Sequence, residues 1–289
     1  MGRRKVKKEV KRVYFDYSLL FITIFLAAFG IVMIYSTSSY TAQMNYGSSE
    51  YYFYKQLTYT LIGFAGMYIT YKFDYHFWQR IWKWVMAFGV IIMFALIPFG
   101  SVVNGAKRWI RLPGIQIQPS ELTKVAMIIF TAKVVSMYKK EINNLKFLAV
   151  LGIVLIIPLA LIEMQPDLST TILITLIILT IIFCAGLSYK IIGIALLIVV
   201  PIATVGIIYI SNPNQTLLED YQRNRIMAFI DPENYGDGTY QQDNAVQAIG
   251  SGQLTGKGLN NDDPSSLKNA HYIAEAQTDF IFAVIGEEL

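Results

Sequence analysis

The sequence predicts an all-α polytopic membrane protein, and three features carry that prediction. Of its 289 residues, 54% are hydrophobic and only 15% charged, too little charge to cover the surface of a soluble domain. The apolar residues are gathered into runs of about twenty with few charges, the length a helix needs to cross a hydrocarbon core. Basic residues recur between alternate runs, as expected of cytoplasmic loops.

Taken in order, apolar runs fall at 18–35, 57–71, 81–98, 122–137, 147–162, 168–185 and 191–210, and another begins at Phe280. They read as seven complete transmembrane helices plus the start of an eighth, so the chain is expected to be C-terminally truncated. The first run is too long for a signal-peptide core and no small-residue cleavage site follows it, so it is expected to be retained. Pro158 and Pro201 lie inside runs and predict kinks rather than breaks. Cys184 is alone and supports no disulfide. The expected organisation is a basic N-terminus (1–16), a seven-helix region (17–210), a large extracytoplasmic loop (211–279) and the start of the eighth helix (280–289).

Orientation follows from charge. Arg3, Arg4, Lys5, Lys7, Lys8, Lys11 and Arg12 place the N-terminus in the cytoplasm, and the same count puts Lys72, Arg80, Lys83, Lys139, Lys140, Lys146 and Lys190 inside. The outer loops are then 36–55, 100–120, 165–167 and 211–279. The second carries Lys107, Arg108 and Arg111 on the side that disfavours them, so the cluster has another reason to be there: anionic head groups in general, or a phosphorylated lipid substrate. The fourth is far longer than an ordinary connection, and apolar residues spaced through it argue for packing.

Four motifs carry chemistry. Asn104-Gly-Ala-Lys-Arg-Trp-Ile110 precedes Gln118-Pro-Ser-Glu-Leu-Thr-Lys124, where Pro119 suits a first helical turn. Glu121 and Lys124, three apart, fall on one helical face. They serve as cap and structural pair, or line a substrate path at the membrane edge. Gln165-Pro-Asp167 turns into the sixth run with Asp167 as N-cap, and would also point into an external cavity. Ala248 to Gly258 is glycine-rich, but its spacing fails the phosphate-loop pattern and no Ser or Thr follows Lys257, so no nucleotide is expected. It is a flexible turn, or one that brings Lys257 near an anionic head group. Finally, Gln277-Thr-Asp-Phe-Ile-Phe places Asp279 at the start of the eighth helix. There it is a helix-start acid, or a partly desolvated general base for a sugar hydroxyl. His76 and His271 are isolated and suggest no structural metal site.

Together, and in this order, Asn104-Gly-Ala-Lys107-Arg108-Trp109, Gln118-Pro-Ser-Glu121 with Lys124, Gln165-Pro-Asp167, Gly250-Ser-Gly252 with Gly256-Lys257-Gly258, and Thr278-Asp279-Phe-Ile-Phe with Glu287-Glu288 resemble the FtsW/RodA family. This is the SEDS (shape, elongation, division, sporulation) group that includes SpoVE, and the match leans to the division-type FtsW branch. Gln253 stands where that family more usually has glycine. The resemblance implies a ten-helix fold and polymerisation of lipid II at the outer face of the bacterial cytoplasmic membrane, in cell division or elongation, with release of undecaprenyl pyrophosphate. It implies Asp279 as the catalytic carboxylate. Lys107, Arg108, Trp109, Glu121, Lys124, Asp167 and Lys257 are implied to shape the site and hold pyrophosphate or a divalent cation, magnesium or manganese. Implied partners are a class B penicillin-binding transpeptidase and other division or elongation membrane proteins; no nucleic acid is expected. Two other readings are a flippase for the lipid-linked precursor and a non-catalytic scaffold for the transpeptidase. A flippase needs polar groups deep along its path, whereas the ionisable residues other than Lys133 gather at the ends of the runs.

Overall fold

In the computed structural model, residues 15–103, 106–112, 115–165, 167–212, 215–216, 220–231, 234–260, 266–267, 272–273 and 276–289 are described. The basic N-terminus, Asn104, Gly105, Pro166 and His271 lie outside them. Each of the seven apolar runs is found in a helix: α1 (Tyr17–Tyr46), α2 (Tyr51–Lys72), α3 (Tyr75–Phe99), α4 (Pro119–Met137), α5 (Leu145–Glu163), α6 (Leu168–Cys184) and α7 (Tyr189–Ser211). Among the described residues, α1, α3, α5 and α7 are long and apolar enough to cross a membrane, and α6 is a shorter apolar helix. Large side chains such as Phe21, Phe25, Ile91, Ile153, Leu197 and Ile202 are exposed along them. On a soluble protein such a surface would aggregate; in a bilayer it is the lipid face.

Helix ends follow local chemistry. Asp16 accepts the Leu19 N–H at 3.0 Å, Asp74 the His76 N–H at 2.7 Å and Asn144 the Lys146 N–H at 3.0 Å, each satisfying an amide that a helix start leaves unpaired. The amide of His76, then its ring, holds the Asp74 carboxyl below its ordinary range. Pro119 stands in the first turn of α4, as expected. Pro158 and Pro201 lie inside α5 and α7.

The structure adds three features to the expected organisation. Helix α1 runs on to Tyr46 and α2 starts at Tyr51, so much of 36–55 is helical. The 30 residues of α1 span about 45 Å, against about 30 Å for a hydrocarbon core, so the helix outlasts its apolar run. The helical fold is as expected, with one small sheet added to it. Residues after α3 form an antiparallel meander of β1 (Gly100–Val103), β2 (Ala106–Leu112) and β3 (Ile115–Ile117), in the order β1-β2-β3. Ser101 pairs with Trp109, and Arg111 with Gln116. This pairing satisfies backbone groups that a loop at the membrane edge would leave open. Third, the large loop contains helices α8 (Asp220–Ile230) and α9 (Gly236–Gly252), ahead of α10 (Ile281–Glu288).

The chain divides into two compact units, residues 1–70 with 210–289, and residues 71–209. In the second, α3 lies against α4 through small residues. Thr123 donates its hydroxyl to the Gly89 carbonyl at 2.9 Å, and Met86, Met93, Met127, Leu155, Ile162 and Ile174 form a buried core. Lys133, within α4, reaches Gln79 of α3 at 3.5 Å. In the first, Ala245 and Ala248 of α9 and Ala283 and Val284 of α10 share a smaller core with Ile273 and Ala276.

Candidate functional site

The residues after α3 place their cations differently. Lys107, on β2, donates its ammonium to the Ile97 carbonyl at 2.5 Å, capping the C-terminal end of α3 where a cation suits exposed carbonyls. A Cβ at Gly100 would collide with the Lys107 stem, so glycine at that position lets the side chain lie flat against the helix end. Arg108 points the other way. Its Nε donates to the Gln165 carbonyl at 2.9 Å, and its Nη1 lies 3.7 Å from Asp167 Oδ2. Trp109 is half-buried, with its carbonyl accepting the Ser101 hydroxyl at 3.0 Å. Arg111 is exposed on the same strand.

Asp167 performs its expected cap, accepting the Thr170 N–H at 3.3 Å. Only 7% of it is exposed, so the Arg108 guanidinium beside it offsets much of the cost of burying its charge. Neighbouring Gln165 is also buried; its amide nitrogen donates to the Leu161 carbonyl, while its Oε1 has no hydrogen-bond donor among the described residues. Glu121 and Lys124 form the predicted i,i+3 pair at 2.6 Å. Arg108, Asp167 and Gln165 are therefore one constellation, and Glu121 with Lys124 is a second, both within residues 71–209.

The other unit holds Asp279 and Lys257. Asp279 lies in the turn just before α10 and is exposed, with no hydrogen-bond or ion-pair partner among the described residues. The partial burial expected of it is not seen, because the turn ends before the helix enters its packed stretch at Ala283 and Val284. Lys257 is committed elsewhere: its ammonium lies 2.8 Å from Glu287 Oε1.

Glu287 and Glu288 are residues to which sequence reasoning gave no role. Both are almost fully buried, at 1% and 2% exposure. Glu287 also accepts the Leu267 N–H at 2.9 Å, and the Glu288 carboxylate accepts the Ser36 hydroxyl at 2.6 Å. The only local signal was two adjacent acids at the end of an apolar stretch, a placement that costs energy unless a partner is waiting. The glycine-rich segment is that partner. Helix α9 continues to Gly252, and the turn follows with Gln253, Gly256 and Gly258 at φ 55°, 66° and 94°. A Cβ on Gly252 would strike the Gly286 carbonyl, and one on Gly256 the Glu288 carbonyl, so glycine is what allows turn and helix to touch.

Among the described residues, no group of three or more His, Cys, Asp or Glu side chains stands ready for a metal ion. Asp167, Glu121 and Glu287 each face a cation instead. Those three carboxylates are thus engaged by protein cations, and no step below depends on a divalent ion.

Comparison with known proteins agrees with the family that the motifs resemble. The FtsW/RodA/SpoVE family of cell cycle proteins matches residues 17–289. A probable peptidoglycan glycosyltransferase FtsW of Trichlorobacter lovleyi is 33% identical over 290 residues, covering 98% of this chain and 72% of the relative. A protein of the same description from Escherichia coli is 33% identical over 293 residues, covering 100% and 67%. Among solved structures, a chain from a study of polymerization and crosslinking by a peptidoglycan synthase complex aligns with TM-score 0.72 at 20% identity, over 96% of this chain and 71% of that one. The rod shape determining protein RodA of Thermus thermophilus aligns with TM-score 0.52 at 16% identity, over 84% and 78%. These last two likenesses concern the fold. The multi-pass helical architecture, the ordered motifs and a family match over nearly the whole length lead to one conclusion: this chain belongs to the FtsW/RodA/SpoVE family.

Proposed function

We propose that the protein is a peptidoglycan glycosyltransferase that joins disaccharide-peptide units of lipid II at the outer face of the bacterial cytoplasmic membrane. The N-terminus is cytoplasmic in this reading, and the meander and α9 lie outside. The observation that carries it is Asp279: an exposed carboxylate in the turn before α10, without a partner among the described residues, in a chain whose relatives are named for this activity.

An unpaired carboxylate has lone pairs open to a donor. Asp279 takes the proton of the acceptor sugar hydroxyl as that oxygen attacks the anomeric carbon of the donor. The bond between that carbon and the pyrophosphate oxygen breaks, and undecaprenyl pyrophosphate leaves with the electron pair. Its growing negative charge needs fixed positive groups, a role that the family resemblance implies for Lys107, Arg108 and Lys124. Asp167 holds Arg108 and Glu121 holds Lys124, and the resemblance implies that Trp109 helps to shape the site. A class B penicillin-binding protein is the proposed partner, in line with the polymerization and crosslinking complex that the fold resembles. The FtsW names of the relatives favour a role in division.

The test is lipid II polymerisation by the full-length protein with its partner in nanodiscs, comparing wild type with Asp279→Asn. Removing a general base costs about 10²–10⁴-fold in rate, so glycan product should fall by at least the lower figure, with folding and partner binding unchanged. Undiminished polymerisation would remove Asp279 from this role. Absence of product from both forms, with lipid II moved across the bilayer, would favour a flippase.

A further inference from the structure

We propose that Glu287 and Lys257 act as positioning residues for Asp279, so that Lys257 serves the reaction through a buried ion pair rather than by touching the substrate. This rests on the reading of Asp279 as the proton acceptor.

Helix α10 begins two residues after Asp279, so whatever fixes α10 fixes the base. Its apolar packing is modest. Ala283 and Val284 share a core with Ala245, Ala248, Ala276 and Ile273, with Leu267 and Phe280 packed against it; so few apolar side chains, half of them alanine, leave the helix position to be set largely by polar contacts. Those contacts lie one turn further on. Glu287 Oε1 receives the Lys257 ammonium at 2.8 Å and the Leu267 N–H at 2.9 Å, with the Ser251 hydroxyl at 3.4 Å. These donors come from the end of α9, the glycine-rich turn and the segment beyond it.

The same turn reaches α10 through its backbone, Lys257 N donating to the Glu287 carbonyl at 2.9 Å. It reaches α1 as well. Asn260 N donates to Ser36 Oγ at 2.9 Å, and the Ser36 hydroxyl passes its own hydrogen bond on to Glu288. Asn260 Oδ1 accepts from Ser39 at 3.0 Å.

Direction and burial decide between the two roles for Lys257. Glu287 is 1% exposed, and a carboxylate buried so deeply is tolerated only while its cation stays in place. A pyrophosphate drawing the ammonium away would leave that charge unpaired, so the pair is better suited to hold than to exchange. Holding is valuable here because a shift of about 1 Å in a reacting group costs on the order of 10²-fold in rate. Gly252 and Gly256, where a side chain would strike the Gly286 and Glu288 carbonyls, are the steric half of the same clamp.

The experiment uses the full-length protein with its partner in nanodiscs and four variants: Lys257→Glu, Glu287→Lys, the two together, and Lys257→Arg. Polymerisation is read as separate kcat and KM for lipid II, and amide hydrogen exchange over residues 278–281 is read without substrate. Expected for each single reversal is faster exchange at 278–281 and a kcat lower by about 10²-fold, with KM within about twofold. The double reversal should recover slow exchange and part of kcat, and Lys257→Arg should retain both. Overturning results are a raised KM at unchanged kcat for Lys257→Glu with no recovery in the double variant, or unchanged exchange in the single variants. Should a single reversal fail to fold, the double variant and Lys257→Arg carry the comparison. If wild type makes no glycan, the polymerase reading fails alone, because exchange in the substrate-free protein still decides whether the clamp exists.

Discussion

Gln253 occupies a backbone conformation, φ 55° and ψ −134°, that an L side chain adopts only under strain. Such positions cost about 1–3 kcal/mol, while glycine costs about 0.4–1 kcal/mol through the freer unfolded chain, so strain is the larger effect. Gln253→Gly is therefore expected to stabilise the protein by about 1 kcal/mol, read as a higher unfolding midpoint in nanodiscs; a lower midpoint would mean that Gln253 escapes the strain. The sequence already marked this position as a departure from the usual glycine, but only the dihedral angles say why it matters. Other residues were legible in proportion to the range of their partners. The Glu121–Lys124 pair and the Asp167 cap are local, three residues apart, and form as expected. The Lys257–Glu287 contact joins residues thirty apart. No periodicity announces it, so Lys257 was visible as a cation and its buried partner was not.

At the level of elements, an apolar run of about twenty residues has few alternatives in a bilayer except to be a helix, and that is why α1 to α7 follow the runs. The meander is a different case. Its strands are three to seven residues long, and Lys107, Arg108 and Arg111 break up the apolar-polar alternation that would have announced β2. Helix α9 was hidden for a related reason, since glycines at 236, 238, 250 and 252 weaken any helical signal. The α3–α4 contact yields a sharp prediction. A Cβ on Gly89 would sit 3.0 Å from the Ala126 Cβ, whereas one on Gly152 of α5 meets nothing within 4 Å. Gly89→Leu should cost about 1–3 kcal/mol by overpacking, and Gly152→Leu should be close to neutral or slightly stabilising. Thermal unfolding of the two variants side by side checks it; equal midpoints would show that α3 and α4 do not pack through Gly89.

For the whole molecule, the proposed topology is open to direct measurement. Cys184 is the one cysteine in these 289 residues, so single cysteines placed in them on a Cys184→Ser background report sidedness without interference from this stretch. A membrane-impermeant thiol reagent added outside intact cells is expected to label Ser48→Cys and Leu254→Cys, and to spare Asp74→Cys and Lys140→Cys until the membrane is opened. The reverse pattern would invert the protein. The hydrogen bond between Ser36 and Glu288 adds a constraint of another kind, because it closes over 252 residues of chain. At a synthesis rate of about 5–20 residues per second, Ser36 emerges from the ribosome roughly 10–50 s before its acceptor. During that wait α1 is lodged in the membrane with an unmet appointment, and the unit built from residues 1–70 and 210–289 is completed only after residues 71–209 have been threaded. Anything that captures the outer end of α1 early, such as a chaperone of membrane insertion or a second nascent copy, competes with α10, and ribosome stalling between residues 70 and 257 leaves that competition unopposed.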